Sequence, residues 1–76
     1  MKNEVIQQSR AVAGNIRKLR EFRDYTQDYL AAKLQISQNA YSKLELGYTK
    51  ITLERLYIIA EILEVEPMYL IAGLKR

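Results

Sequence analysis

Residues 33–47, KLQISQNAYSKLELG, contain the end of one short helical pattern and the whole of another, with about three residues between them. Leu30, Ala31 and Leu34 form the apolar face of the first pattern, and Tyr41 and Leu44 that of the second. So short a connection leaves no slack for the chain to double back, and the two helices must cross steeply. Ser37 is a natural N-cap for the second pattern, Gly47 a natural stop after it, and Ile36 is positioned to drop into the core beneath the corner. The corner itself has no glycine, so Gln35 is expected at or near left-handed geometry.

The rest of the chain reads as helix with no strand. A first helix is expected over residues 9–23, with Val12, Ile16, Leu19 and Phe22 as its buried stripe and Asp24 in the post-helix position that glycine often fills. Thr26 caps a second helix, Gln27–Leu34, with Asp28 in its first turn. The third covers residues 38–46. After a loop over residues 48–51, Thr52 caps a fourth, Leu53–Leu63, with Leu56, Ile59, Ala60 and Leu63 inward. Pro67 opens a fifth, Pro67–Ala72, where its missing N–H costs nothing, and Gly73 ends it. Helices this short do not persist alone in water, so packing must hold them, and 76 residues make one small all-α domain with a core that has to be efficient.

Composition removes several function classes. The chain has no cysteine, hence no disulfide and no thiolate metal site, and a cytoplasmic location is expected. It has no histidine, the usual general base and zinc ligand, so an enzyme, a metal site and a cofactor are not expected. No apolar run approaches a membrane span, and the first residues lack the hydrophobic stretch of a signal peptide. Charge is lopsided. Residues 1–50 carry nine Lys/Arg against five Asp/Glu, while residues 51–76 carry three against four. A basic front half suits a polyanion.

Helices joined by a three-residue corner are the geometry of a helix-turn-helix, whose second helix stands clear of the body and can enter a DNA major groove. From about Ala13 to Leu70 the sequence resembles the phage-repressor/Cro-like helix-turn-helix (XRE) family. NIRKLRE at residues 15–21, TQDYLAAKLQIS at 26–37, QNAYSKLELG at 38–47 and ITLERLYIIAEILEVEP at 51–67 follow one another at the family's spacing without gaps. The resemblance implies a compact five-helix, lambda-repressor-like domain over residues 9–73 with its motif at 27–46 and recognition helix at 38–46. An N-terminal extension (1–8) and a short tail (74–76) flank it. The family often has glycine where this chain has Asp24, Gln35 and Glu64; Asp tolerates positive φ, while Gln35 and Glu64 there cost roughly 1 kcal/mol each.

Site residues follow from the same resemblance. Gln38, Asn39, Ser42 and Lys43 occupy the outward face of the third helix, where base contacts are made; a glutamine or asparagine side chain can pair bidentately with adenine. Gln27 matches a glutamine that donates to a phosphate and braces the next helix. Asn15, Arg17, Tyr48, Thr49 and Lys50 match backbone-contact regions, which supply salt-dependent affinity without sequence choice. Lys18 and Arg23 read as solvated face residues. Arg20 and Glu45 match an ion pair that fixes the recognition helix against the first.

The implied function is a sequence-specific DNA-binding transcriptional regulator, a repressor acting as a homodimer on a palindromic operator in double-stranded DNA. The last helix and tail offer Met68, Tyr69, Ile71 and Leu74, more apolar surface than one inner face needs, and the dimer contact is expected there. An antitoxin that neutralises a toxin partner and regulates its own operon is the competing reading, with residues 1–8 available to the partner.

Overall fold

The structure is a computed structural model and describes residues 2–73. Its five helices are α1 (Lys2–Phe22), α2 (Gln27–Leu34), α3 (Gln38–Glu45), α4 (Leu53–Leu63) and α5 (Pro67–Ala72), with no strand among the described residues. Four of the five begin where local chemistry says they should. The side chains of Thr26, Ser37 and Thr52 accept from the backbone N–H of Tyr29, Ala40 and Arg55 at 3.0–3.1 Å, satisfying a donor each first turn leaves open. The fourth, α5, starts instead on Pro67, with Glu66 before it making no side-chain cap.

Helix ends repeat one device. After α1, α2, α3 and α4 the chain takes one residue at positive φ, Asp24 (61°), Gln35 (59°), Gly47 (81°) and Glu64 (61°). In each case that residue and the next donate backward to the last helical turn. Gln35 N–H reaches the Ala32 carbonyl and Ile36 N–H the Ala31 carbonyl, while Asp24 and Tyr25 reach Glu21 and Arg20. The second residue of each pair is apolar or aromatic. Tyr25, Ile36 and Val65 are packed against the core, whereas Tyr48 is 73% exposed. Three of these corners therefore work without glycine because the residue after the turn is anchored by burial.

Every helix contributes to one core. Ile16, Leu30, Tyr41, Ile59, Leu63 and Leu70 are its largest fully buried side chains, drawn from all five. Packing α1 against α3, α4 and α5, and α2 against α3 and α4, leaves α3 held from behind by α1 and α2.

Two expectations for α1 need correction. The helix starts at Lys2, not near residue 9, so residues described as an extension continue α1; from Gln7 to Ala11 all its residues are exposed. Phe22 is 76% exposed and does not belong to the buried stripe. Two successive steps of three residues after Ile16 carry Phe22 about 120° around the helix, because each falls short of a 3.6-residue turn. The stripe runs through Ala13, Ile16, Leu19 and Arg20 instead, all buried. Arg23, expected on a solvated face, is half-buried. Its guanidinium donates to the Leu63 and Glu64 carbonyls (2.9 and 3.1 Å) and closes the C-terminus of α4. The third helix ends at Glu45, with Leu46 as its cap, exposed beside the loop. Leu74 and the tail over residues 74–76 lie outside the described residues.

Candidate nucleic-acid interface

Two faces of α3 have opposite character. Tyr41, Leu44 and Glu45 are buried. Gln38, Asn39 and Lys43 are exposed, and Ser42 is half-buried at the edge between them. Ser37 is the first residue before the helix, so Gln38 and Asn39 lie in its first turn, at the positive end of the helix dipole. The corner at Gln35 gives α3 this orientation, with Ile36 tucked beneath it.

The inner face is fixed by a polar cluster around one carboxylate. Arg20 Nε donates to Glu45 Oε2 at 2.6 Å and Arg20 Nη2 to Oε1 at 3.2 Å, a bidentate pair with both side chains largely out of solvent. Tyr41 Oη also donates to Oε2, and Gln27 Nε2 donates to Oε1 at 3.2 Å. Arg20 uses Nη1 to donate to the Tyr25 carbonyl at 2.8 Å, tying the same guanidinium to the corner between α1 and α2. Glu45 closes α3, where the dipole disfavours a negative charge, and the guanidinium offsets that penalty. No buried side-chain nitrogen or oxygen among the described residues lacks a partner. The hydrogen bond it donates to the Glu45 carboxylate raises the Arg20 pKa above its ordinary value, and burial pushes Tyr41 well above the usual tyrosine range, with Glu45 adding to it.

Of this cluster the sequence reading had the Arg20–Glu45 pair and Gln27 as a brace. It missed the hydroxyl of Tyr41, which was assigned to packing alone. The signal was available: Tyr41 and Glu45 are four residues apart and share one helix face.

The rim residues are less uniform. Gln27 is half-buried. Arg17 is exposed and forms an i,i+4 pair with Glu21 at 3.1 Å, an exposed contact worth only a few tenths of a kcal/mol and easily exchanged. Asn15 is half-buried, and its Nδ2 donates to the Leu70 carbonyl at 2.9 Å, which ties α1 to α5. Tyr48, Thr49 and Lys50 are exposed in the loop after α3. Arg10, which the sequence reading left out, joins them. The loop backbone passes so close to α1 that a Cβ at Gly47 would sit 3.0 Å from Arg10 Cγ, and Arg10 and Lys50 line one cleft. Only the approach of the loop to α1 reveals this, because 37 residues separate Arg10 from Gly47.

On α5, Met68, Tyr69 and Ile71 are exposed while Leu70 is buried. Among the described residues there is no group of acidic side chains that could hold a metal ion, and no helix is long and apolar enough to cross a membrane.

A five-helix unit whose second and third helices meet at a three-residue corner, with the third presenting a polar face, defines a helix-turn-helix DNA-binding domain. The helix-turn-helix family model matches residues 16–70, and the chain belongs to this family, the Cro/C1-like XRE type. It is a DNA-binding regulator of the XRE kind, and the family is one of DNA-binding domains rather than enzymes. Among curated proteins and solved structures, nothing matches the chain.

Proposed function

We propose that the protein is a homodimeric transcriptional repressor that reads a palindromic operator with the outward face of α3. The observation that carries this is the division of that helix: Tyr41, Leu44 and Glu45 are buried, while Gln38, Asn39 and Lys43 stand in solvent with no partner among the described residues. A helix kept only for packing would not need four polar side chains on one exposed face. Gln38 and Asn39 read adenine through paired donor and acceptor contacts, Lys43 reaches guanine or the backbone, and Ser42 contacts a base or a phosphate at the edge.

Phosphate contacts come from Gln27, Arg17, Arg10 and the loop residues Tyr48, Thr49 and Lys50. Gln27 couples the two roles, since the amide that braces Glu45 sits where the first turn of α2 meets the backbone. Asn15 donates one of its two amide N–H groups to the Leu70 carbonyl and so holds α5, and its second N–H serves a phosphate.

One reading helix covers too few base pairs for useful specificity, so two copies are needed. Met68, Tyr69 and Ile71 form the pairing surface. The described residues span 35 × 28 × 20 Å. Two copies side by side can therefore set their reading helices near the 34–36 Å of one DNA turn. A dimer seated on a promoter excludes polymerase by occupancy, which makes repression the mode of action.

Selection of bound sites from random duplexes tests this. The expected outcome is a palindrome whose recovery is lost in Gln38→Ala, with the cost of the substitution about 1–3 kcal/mol at the position it reads. Sequence-blind binding that Gln38→Ala leaves unchanged would overturn it.

A further inference from the structure

Between the N-terminal half of α1 and the loop after α3 lies a cleft of about 610 Å³, inside the size range of small-molecule sites. Its inner wall is apolar: Leu56 is buried, and Val12 and Ile51 are half-buried against the core. Its edge carries Arg10, Tyr48 and Lys50, and among the described residues no acidic side chain lines it. Neither cation has a salt-bridge partner among the described residues. The Tyr48 ring is available because it alone, of the residues that follow the four left-handed turns, is not packed into the core.

A phosphate group accounts for the cations but not for the wall. Contact with a phosphate oxygen requires donors, whereas Val12, Ile51 and Leu56 offer only surface that gains from covering by carbon. Apolar depth beneath a basic edge is complementary to a molecule with the same two parts. We propose that this cleft binds a small amphipathic carboxylate, an acyl or aryl chain with one anionic head. The chain lies on Val12, Ile51 and Leu56, and the head lies between Arg10 and Lys50.

Occupancy has a consequence that rests on the DNA-binding reading given above. Arg10, Tyr48 and Lys50 are three of the groups assigned to the phosphate backbone, and a bound carboxylate occupies both cations and cancels one of their two charges. The ligand and the operator then compete, and the carboxylate is an inducer that releases DNA.

The test uses the isotope-labelled full chain at constant ionic strength, titrated with octanoate, its neutral counterpart octanamide, and inorganic phosphate. Octanoate is expected to move the amide resonances of residues 9–12 and 47–56 and to saturate them below about 1 mM, within reach of a ligand of this size. Octanamide and phosphate should each bind at least tenfold more weakly. Arg10→Gln combined with Lys50→Gln should weaken octanoate at least tenfold with the melting temperature unchanged. The proposal is overturned by any of three results: no saturation, equal binding of phosphate or octanamide, or undiminished octanoate binding in the double variant. A second arm measures retention of a selected duplex, where octanoate should lower affinity at least fivefold. Saturable octanoate binding with unchanged DNA retention would refute the competition while leaving the cleft assigned. A chain that retains no duplex at all would refute the DNA reading, and the titration would still decide the cleft.

Discussion

Gln35 holds a conformation that costs an L-residue about 1–2 kcal/mol, and its exposed side chain makes no hydrogen bond that would repay it. Glycine relieves the strain but adds freedom to the unfolded chain, worth about 0.4–1 kcal/mol in the other direction. Gln35→Gly should therefore stabilise the domain by about 0.5–1 kcal/mol, read as a higher denaturant midpoint with unchanged slope. Gly14 is the reverse case. It sits in the middle of α1, and a Cβ added there meets nothing within 4 Å. Gly14→Ala removes the backbone-entropy penalty of a helical glycine without a clash, and a gain of about 0.5–1 kcal/mol is expected in the same measurement. Gly47 is the strained case for such a change, because its φ is 81° and an added Cβ, 3.0 Å from Arg10 Cγ, would also push the Arg10 side chain aside.

At the scale of helices, the caps and closing residues of α2 to α5 and the inward positions of α2 to α4 were legible in the sequence, because each is set by residues within one turn of each other. Thr26, Ser37 and Thr52 start helices through contacts three residues long, Pro67 through its own fixed φ, and the length of the 35–37 connection demanded a left-handed residue whatever occupied it. The failures lie where distant segments decide. Phe22 continued a local pattern but drifted off the face that α4 and α5 cover, and Arg23 was drawn to carbonyls 40 residues away. On the reading helix, Gln38 and Asn39 were visible by position, while Arg10 became a candidate only once the loop was seen against α1. The missed hydroxyl of Tyr41 has a measurable signature. Its folded pKa is raised, so its proton stabilises the fold fully below the ordinary value of 10.0, and that contribution is lost as pH rises above it. The alkaline loss of stability should be steeper in the natural chain than in Tyr41→Phe. At neutral pH the variant should be less stable by about 1–3 kcal/mol, the range for a hydrogen bond to a charged group, and equilibrium unfolding at pH 7 and above 10 would show both.

For the molecule as a whole, the exposed Met68, Tyr69 and Ile71 on one short helix form the surface assigned to pairing. Ile71→Glu should convert a dimer to a monomer in sedimentation, with little change in monomer stability because the residue is already half in solvent. The same substitution should cost far more affinity for a full palindrome than for a half-site, since only the former engages both copies. Charge acts on a different axis. Lys50→Gln should weaken binding to all duplexes alike and lower the salt slope by about one unit, whereas changes on the α3 face should alter which duplex is chosen.

Glu45 accepts from Arg20 on α1, from Gln27 on α2 and from Tyr41 on its own helix. Three helices thus meet at one acceptor, and α3 cannot leave without stranding the donors of Arg20 and Gln27. Isolated eight-residue helices fray in microseconds or less, but α3 has no independent route to do so. Its amide protons should exchange with solvent only through an opening that also releases α1 and α2, giving the three helices a common opening free energy under native conditions. Glu45→Gln, which keeps the shape and removes the charge, should split that common value and let α3 exchange first. The outward face of α3 is then stiff for a reason that lies behind it: its order is borrowed from two neighbouring helices through one carboxylate, and under the proposed reading it would meet DNA with little conformational freedom left to lose.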